Sequence, residues 1–292
     1  MGVNVSLIAV PYHAGDEHRP SARGPARMLE AGAVERVAAH GVEVSAEIVD
    51  RGGPFRDTGA SAAAVNARLA GAVRKAVDAG RLPIVLTGSC NSAMGVLAGF
   101  EHRRCGAVWL DAHGDFNTPE TTVSAFLPGM SLAIVTGHCY RDYWATMGDS
   151  TPLAEESVAM FGVRDLSPEG ERQRLERSAI QVVGWRNGKP QREPVVALDR
   201  LRQRVSEVYL HVDLDAFAPD VAPAIADDPV PGGLSLEQGE SIVRATADRF
   251  RIRAATIATY APALDQADKT LGVALRLIDL LGAHAAQTAW DR

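Results

Sequence analysis

GAVWLDAHGDFNTPETT, residues 106–122, is the stretch from which the rest of the chain can be read. It is continuously apolar up to Leu110, and Asp111, His113 and Asp115 follow at once. An unbroken apolar run, unlike an alternating one, indicates a strand buried on both faces, hence a parallel sheet covered by helices. The i, i+2, i+4 spacing puts the three polar side chains on one side if the extended backbone continues past the strand. Carboxylates at the end of a buried strand are costly to desolvate unless a cation compensates them. The segment thus predicts a parallel sheet with a metal site at its carboxyl edge.

Outward from it, similar short runs recur at 5–10, 44–49, 82–87, 157–163, 180–185, 207–213 and 254–260. Helical segments are expected at 62–79, 235–250 and 268–286, the second opening on Ser235 with Glu237 and Gln238 in its first turn as an N-cap arrangement. Alternation of strand and helix along the chain predicts α/β architecture: a three-layer α/β/α domain spanning 1–292, with a mostly parallel sheet of about eight strands. The Pro/Gly-rich stretches at 114–130 and 218–233 follow strands, where the ligand-binding loops of such sheets sit.

Composition narrows the function classes. Aromatics are 5% of the chain against 46% hydrophobic residues overall, so the core is built from Ala, Val and Leu. The charge balance, 30 − 36 = −6, comes with no basic stripe, which argues against nucleic acid as a partner. No apolar run approaches a membrane span, and the first residues lack the charged and small-residue pattern of a signal peptide. Three cysteines, an odd number, suit a reducing compartment better than a disulfide framework, so a cytoplasmic location is expected.

A second acidic cluster stands in YLHVDLD, residues 209–215, where Asp213 and Asp215 share a face at another strand end. Alone, such a pair is also the pattern of a solvated loop or helix cap. Two clusters after two buried strands can converge on one crevice. Hard oxygen and nitrogen donors there suit Mn²⁺ or Mg²⁺, with a shared carboxylate bridging two ions. His211 precedes Asp213 by two residues and reads as a packed histidine or a support to the site; His13, just past the first strand, lies within reach of the crevice.

These segments resemble the ureohydrolases, the arginase and agmatinase family. DAHGDFNTPETT is similar to that family's DAHxDxNTPxTT signature, and HVDLDAFAPDVAPA to its second metal motif. VLTGSCNSAMG, FGVRD (161–165) and PGGLS (231–235) match in the same order along the chain. The resemblance implies the arginase-like fold, two Mn²⁺ ions, and a metal-bridging hydroxide held by Asp111, Asp115 and Asp213 as nucleophile. It implies that Asp111 and Asp213 bridge both ions, that Asp115 binds one, and that His113 and Asp215 bind the other. Cys90 takes the remaining ligand position, which is histidine in arginases. As a soft thiolate it would shift metal preference toward Zn²⁺ or Fe²⁺.

The departures bear on substrate. The family's proton-shuttling histidine falls on Pro128, which carries no transferable proton, and its guanidinium-binding glutamate falls on Thr259. A guanidinium held without a carboxylate is a poorly paired charge, whereas an N-hydroxyguanidine is less basic and binds neutral. Asn117 and Ser124 match residues that bind an α-carboxylate, and Ser167 stands where an aspartate binds the α-amino group, leaving Asp165 as the nearby acid. The pattern resembles amidinohydrolases that convert Nω-hydroxy-L-arginine to hydroxyurea and L-ornithine in antibiotic biosynthesis of the D-cycloserine type. The expected activity is therefore hydrolysis of a linear amidine in a small guanidino amino acid. An arginase or other guanidino-acid hydrolase releasing urea, and a catalytically silent binding protein of this fold, are the alternatives. The role of Asp227 and Asp228 is open, and so is the subunit count, a monomer included.

Overall fold

The unbroken apolar runs pair side by side, as strands buried on both faces must. A computed structural model of the chain describes residues 2–225 and 229–288. Its strands are β1 (Asn4–Val10), β2 (Val44–Ile48), β3 (Arg81–Thr87), β4 (Cys105–Leu110), β5 (Val158–Phe161), β6 (Gln181–Val183), β7 (Trp185–Arg186), β8 (Lys189–Pro190), β9 (Glu207–Asp213) and β10 (Arg251–Ala258). Eight of them form one sheet in the order β2-β1-β3-β10-β9-β4-β5-β6. Every neighbouring pair in it is parallel. β7 and β8 make a separate antiparallel hairpin that the apolar pattern did not announce.

Helices cover both faces, giving three layers. On one face Leu7, Leu86, Leu110 and Leu210 pack against Leu277 and Ile278 of helix Lys269–Gln287 and Ile242 of helix Leu236–Arg249. On the other, Ile8, Val85, Trp109 and Tyr209 pack against Leu69 and Val73 of helix Thr58–Asp78. Burying one such aliphatic side chain stabilises the fold by about 1.5–3 kcal/mol. Helix Leu236–Arg249 starts with the full capping box: Ser235 Oγ accepts from Gln238 N, and Gln238 Oε1 accepts from Ser235 N. The Asp57 carboxylate caps helix Thr58–Asp78 by accepting from Ala60 N at 2.8 Å.

One expectation fails at the sheet edge. Strand β2 is not buried on both faces; Ile48 is 63% exposed. With a neighbour on only one side, an edge strand is covered by fewer elements, which its composition did not reveal.

The strand order matters for the site. β9 and β10 come late in the chain, yet they insert between β3 and β4. Four adjacent strands, β3, β10, β9 and β4, therefore end at the same edge, although their sequence positions are far apart. Gly162, at φ 95°, lets the end of β5 close on this edge; a Cβ there would come within 2.8 Å of Leu234 and 3.0 Å of the Asp111 carbonyl. Among the described residues no helix is long and apolar enough to cross a membrane.

Candidate metal centre

Each of the four strands delivers side chains to one crevice. Cys90 opens the turn after β3, Thr259 follows β10, Asp213 ends β9 with Asp215 in the next turn, and Asp111, His113 and Asp115 follow β4. All of them line a cavity of about 310 Å³. That is the size of a small-molecule site.

Hydrogen bonds lock the acidic groups together. Cys90 Sγ donates to Asp213 Oδ2 at 2.7 Å, and Thr259 Oγ1 donates to Asp213 Oδ1. Asp213 Oδ1 also accepts from Asp215 N at 2.8 Å. Asp215 Oδ1 accepts from Ala112 N at 2.9 Å, which ties the loop after β9 to the loop after β4. His113 Nδ1 lies 2.8 Å from Asp215 Oδ2 and 3.4 Å from Asp111 Oδ1. Trp109 Nε1, one pleat below, donates to Asp111 Oδ2 at 3.2 Å.

The route by which these side chains converge differs from the expectation. The backbone does not stay extended past Asp111. It turns, with His113 N donating to Asp111 Oδ1 at 2.7 Å, and Asp115 takes the left-handed conformation at φ 48°. The Asp115 carbonyl then accepts from Leu132 N and Ala133 N, which anchors the turn on the following helix. An extended chain would run off the sheet edge; the turn brings Asp115 back over it. Thr259 is also left-handed, at φ 72°, a rare state for a β-branched residue that persists only where its surroundings hold it.

The electrostatics are lopsided. Burial, then the charge of Asp215, pushes the Asp111 carboxyl up to about 6. Burial and neighbouring aspartates drive Asp115 and Asp213 well above the usual carboxylate range. Burial also opposes the charge on Asp215, but the hydrogen bond and charge of His113 prevail and hold it below its usual value. For His113, burial disfavours the imidazolium, yet hydrogen bonds to Asp111 and Asp215 push it up to about 12. Burial and then Asp213 raise the Cys90 thiol. Four buried carboxylates thus face one imidazole. Among the described residues Asp115 Oδ2 is buried without a hydrogen-bond partner. Ligand atoms of Asp111, His113 and Asp215 lie within 4.8 Å of one another. Surplus negative charge, an orphaned carboxylate oxygen and hard donors at this spacing fit divalent cations.

The expected substrate residues line the same cavity: Asn117, Ser124, Asp165 and Thr259. Asn117 Oδ1 accepts from Thr121 Oγ1 at 3.0 Å, which orients its amide. Pro128 is on the wall, as is His13, whose ring stacks on Phe126 at 5.6 Å while its Nδ1 lies 3.0 Å from both Ser21 Oγ and the Gly88 carbonyl. His211 is fully buried and stacks on Trp109 with ring centroids 3.8 Å apart; burial pulls its pKa down to about 3. Asp227 and Asp228 lie outside the described residues.

Two residues escaped the sequence reading. Glu171, in helix Glu169–Arg177, is buried on the cavity wall, and its Oε1 accepts from Phe116 N at 2.8 Å. Burial pushes its carboxyl up to about 7. The segment EGERQRLER reads as a solvated charged helix. The one signal was that Glu171 precedes buried Leu175 by four positions, on the same face. The Arg164 guanidinium donates to the carbonyls of Asp215, Phe217 and Val230, clasping the loop after β9 against the 229–233 segment.

The chain matches the Arginase family over residues 3–282. Arginase of Bacillus caldovelox is 33% identical over 294 residues, covering 95% of this chain and 97% of the relative. Arginase of Brevibacillus brevis is 30% identical, covering 95% and 97%. The native structure of Bacillus caldovelox arginase at pH 5.6 superposes with a TM-score of 0.84 at 30% identity, covering 97% of this chain and 98% of that one.

Proposed function

The chain belongs to the arginase family of hydrolases that act on the guanidino C–N bond, and on that premise we propose that it hydrolyses Nω-hydroxy-L-arginine to hydroxyurea and L-ornithine. The observation that carries the substrate choice is Thr259. Its hydroxyl is buried at the end of β10 and donates to Asp213, so the position on which the family's guanidinium-binding glutamate falls carries a neutral side chain. Its oxygen still has lone-pair capacity to accept from a substrate N-hydroxyl. A charged guanidinium at that position would lose hydration without gaining an ionic partner from residue 259, whereas a neutral hydroxyguanidine needs none there.

In this reading Asp111, Asp115, Asp213, Asp215, His113 and Cys90 hold two divalent ions, manganese in the first instance. Such ions, when bound, make hydroxide available from water at neutral pH. The protein's own groups do the rest. Asn117 and Ser124 take the α-carboxylate, and Asp165 takes the α-amino group. Thr259 fixes the N-hydroxyl so that the guanidino carbon faces the carboxylate cluster. Water oxygen adds to that carbon, the bond to the ornithine nitrogen breaks, and the leaving nitrogen takes a proton. Pro128 has none to give; the step balances with the proton that the attacking water itself sheds.

Arginine itself is the second reading, favoured by the relatives, which are named arginases. A product assay separates the two. Incubation with each amino acid should release hydroxyurea from hydroxyarginine faster than urea from arginine. A higher kcat/KM for arginine would overturn the substrate proposal and leave the guanidino-hydrolase reading intact.

A further inference from the structure

One fully buried histidine beneath the carboxylates is not used by the ligand set above. His211 stands on β9 two residues before Asp213, so its side chain points to the same face of the sheet one pleat lower. A ring nitrogen of His211, the sulfur of Cys90 and a carboxylate oxygen of Asp111 lie within 4.8 Å of one another. Those three atoms have the spacing of ligands around one ion.

The hydrogen bonds fix which nitrogen is available. The Tyr209 hydroxyl donates its single proton to Thr256 Oγ1 at 2.8 Å. His211 Nδ1 is 2.9 Å from the same hydroxyl oxygen, so Nδ1 carries the proton and donates to it. In a neutral ring that leaves Nε2 with a bare lone pair. Among the described residues Nε2 is buried with no hydrogen-bond partner, an expensive arrangement for a nitrogen acceptor. Stacking on Trp109, itself bonded to Asp111, holds the ring plane in place. A metal-binding histidine typically has this form, with one nitrogen donating to an oxygen and the other bare and oriented.

We propose that His211 Nε2 is a ligand to the ion held by Cys90 and Asp111. The reading rests on the proposed metal centre and adds a residue to it. It supplies an imidazole to the subsite where Cys90 brings sulfur. The resulting nitrogen, sulfur and oxygen set is borderline-soft, so this subsite should favour Zn²⁺ or Co²⁺ over Mn²⁺.

The test uses Co²⁺ as the probe on the full chain. Calorimetric titration of the metal-free protein should give two equivalents, and His211→Gln should weaken one of them by at least about 10–100-fold. Circular dichroism of metal-free H211Q checks its fold. A second measurement needs no variant: the proton NMR spectrum of the Co²⁺-loaded protein should show two paramagnetically shifted, exchangeable imidazole signals, from His113 and His211. Two equivalents of unchanged affinity in H211Q, or a single shifted imidazole signal in the unaltered protein, would overturn the assignment while the metal centre stands. Failure of the unaltered protein to bind any Co²⁺ or Mn²⁺ would remove both.

Discussion

Replacing Asp111 by Asn tests the electrostatic logic of the site, because it should stabilise the metal-free protein and abolish stabilisation by metal. Asp111 is buried, and its carboxyl is pushed from 3.8 up to about 6. At about 1.36 kcal/mol per pH unit, that difference corresponds to about 3 kcal/mol. A raised carboxyl pKa contributes stability below the unfolded value, and that contribution is lost as pH rises through the folded value. The advantage of D111N should therefore be absent below pH 3.8, grow between 3.8 and about 6, and stay constant above. For a chain of this size about 3 kcal/mol is roughly 6 °C in Tm. The assay is thermal or urea unfolding in chelator across this pH range. It is then repeated with Mn²⁺ or Co²⁺ in excess, where each ion at a hundred times its Kd would add about 2.7 kcal/mol to the unaltered protein. D111N should gain much less. A D111N protein whose stability relative to the parent does not rise with pH, or which gains as much from metal, would refute the reasoning.

Three further outcomes are expected. Glu171→Gln should flatten the pH dependence of metal-free stability: the Glu171 carboxyl, raised from 4.5 to about 7, contributes stability that is lost as pH rises through that window, on the order of 3 kcal/mol; parallel pH profiles for the two proteins would count against a buried, protonated Glu171. Cys90→Ser should lower divalent-metal content in elemental analysis of freshly purified protein, and unchanged content and activity would show that Cys90 is no ligand. Thr259→Val removes the hydroxyl that donates to Asp213, a loss of about 1–3 kcal/mol, and should lower kcat/KM for hydroxyarginine by roughly 10–100-fold; an unaltered kcat/KM would remove Thr259 from substrate recognition.

Much was legible from the chain because strand burial and metal chemistry both leave local marks. Apolar runs identified the strands of the main sheet, since a parallel strand inside a sheet needs apolar residues on both faces, although the edge strand β2 is largely exposed. Acidic residues directly after such runs marked the site, because buried charge without a cation is too costly to keep. Glu171 was hidden because a helix of alternating charges looks solvated until its packing is known.

Order in space was not legible. The family resemblance implied that Cys90, Asp213 and Asp111 meet, but no local pattern says that β9 and β10 insert between β3 and β4, the insertion that brings them and Thr259 together. The turn at Asp115, the Arg164 clasp and the bare nitrogen of His211 depend on which backbone groups happen to lie opposite. Local sequence sets the propensities and chemistry of each segment. Strand order and hydrogen-bond pairing are decided by contacts between residues distant in the chain, so only the tertiary structure reveals them.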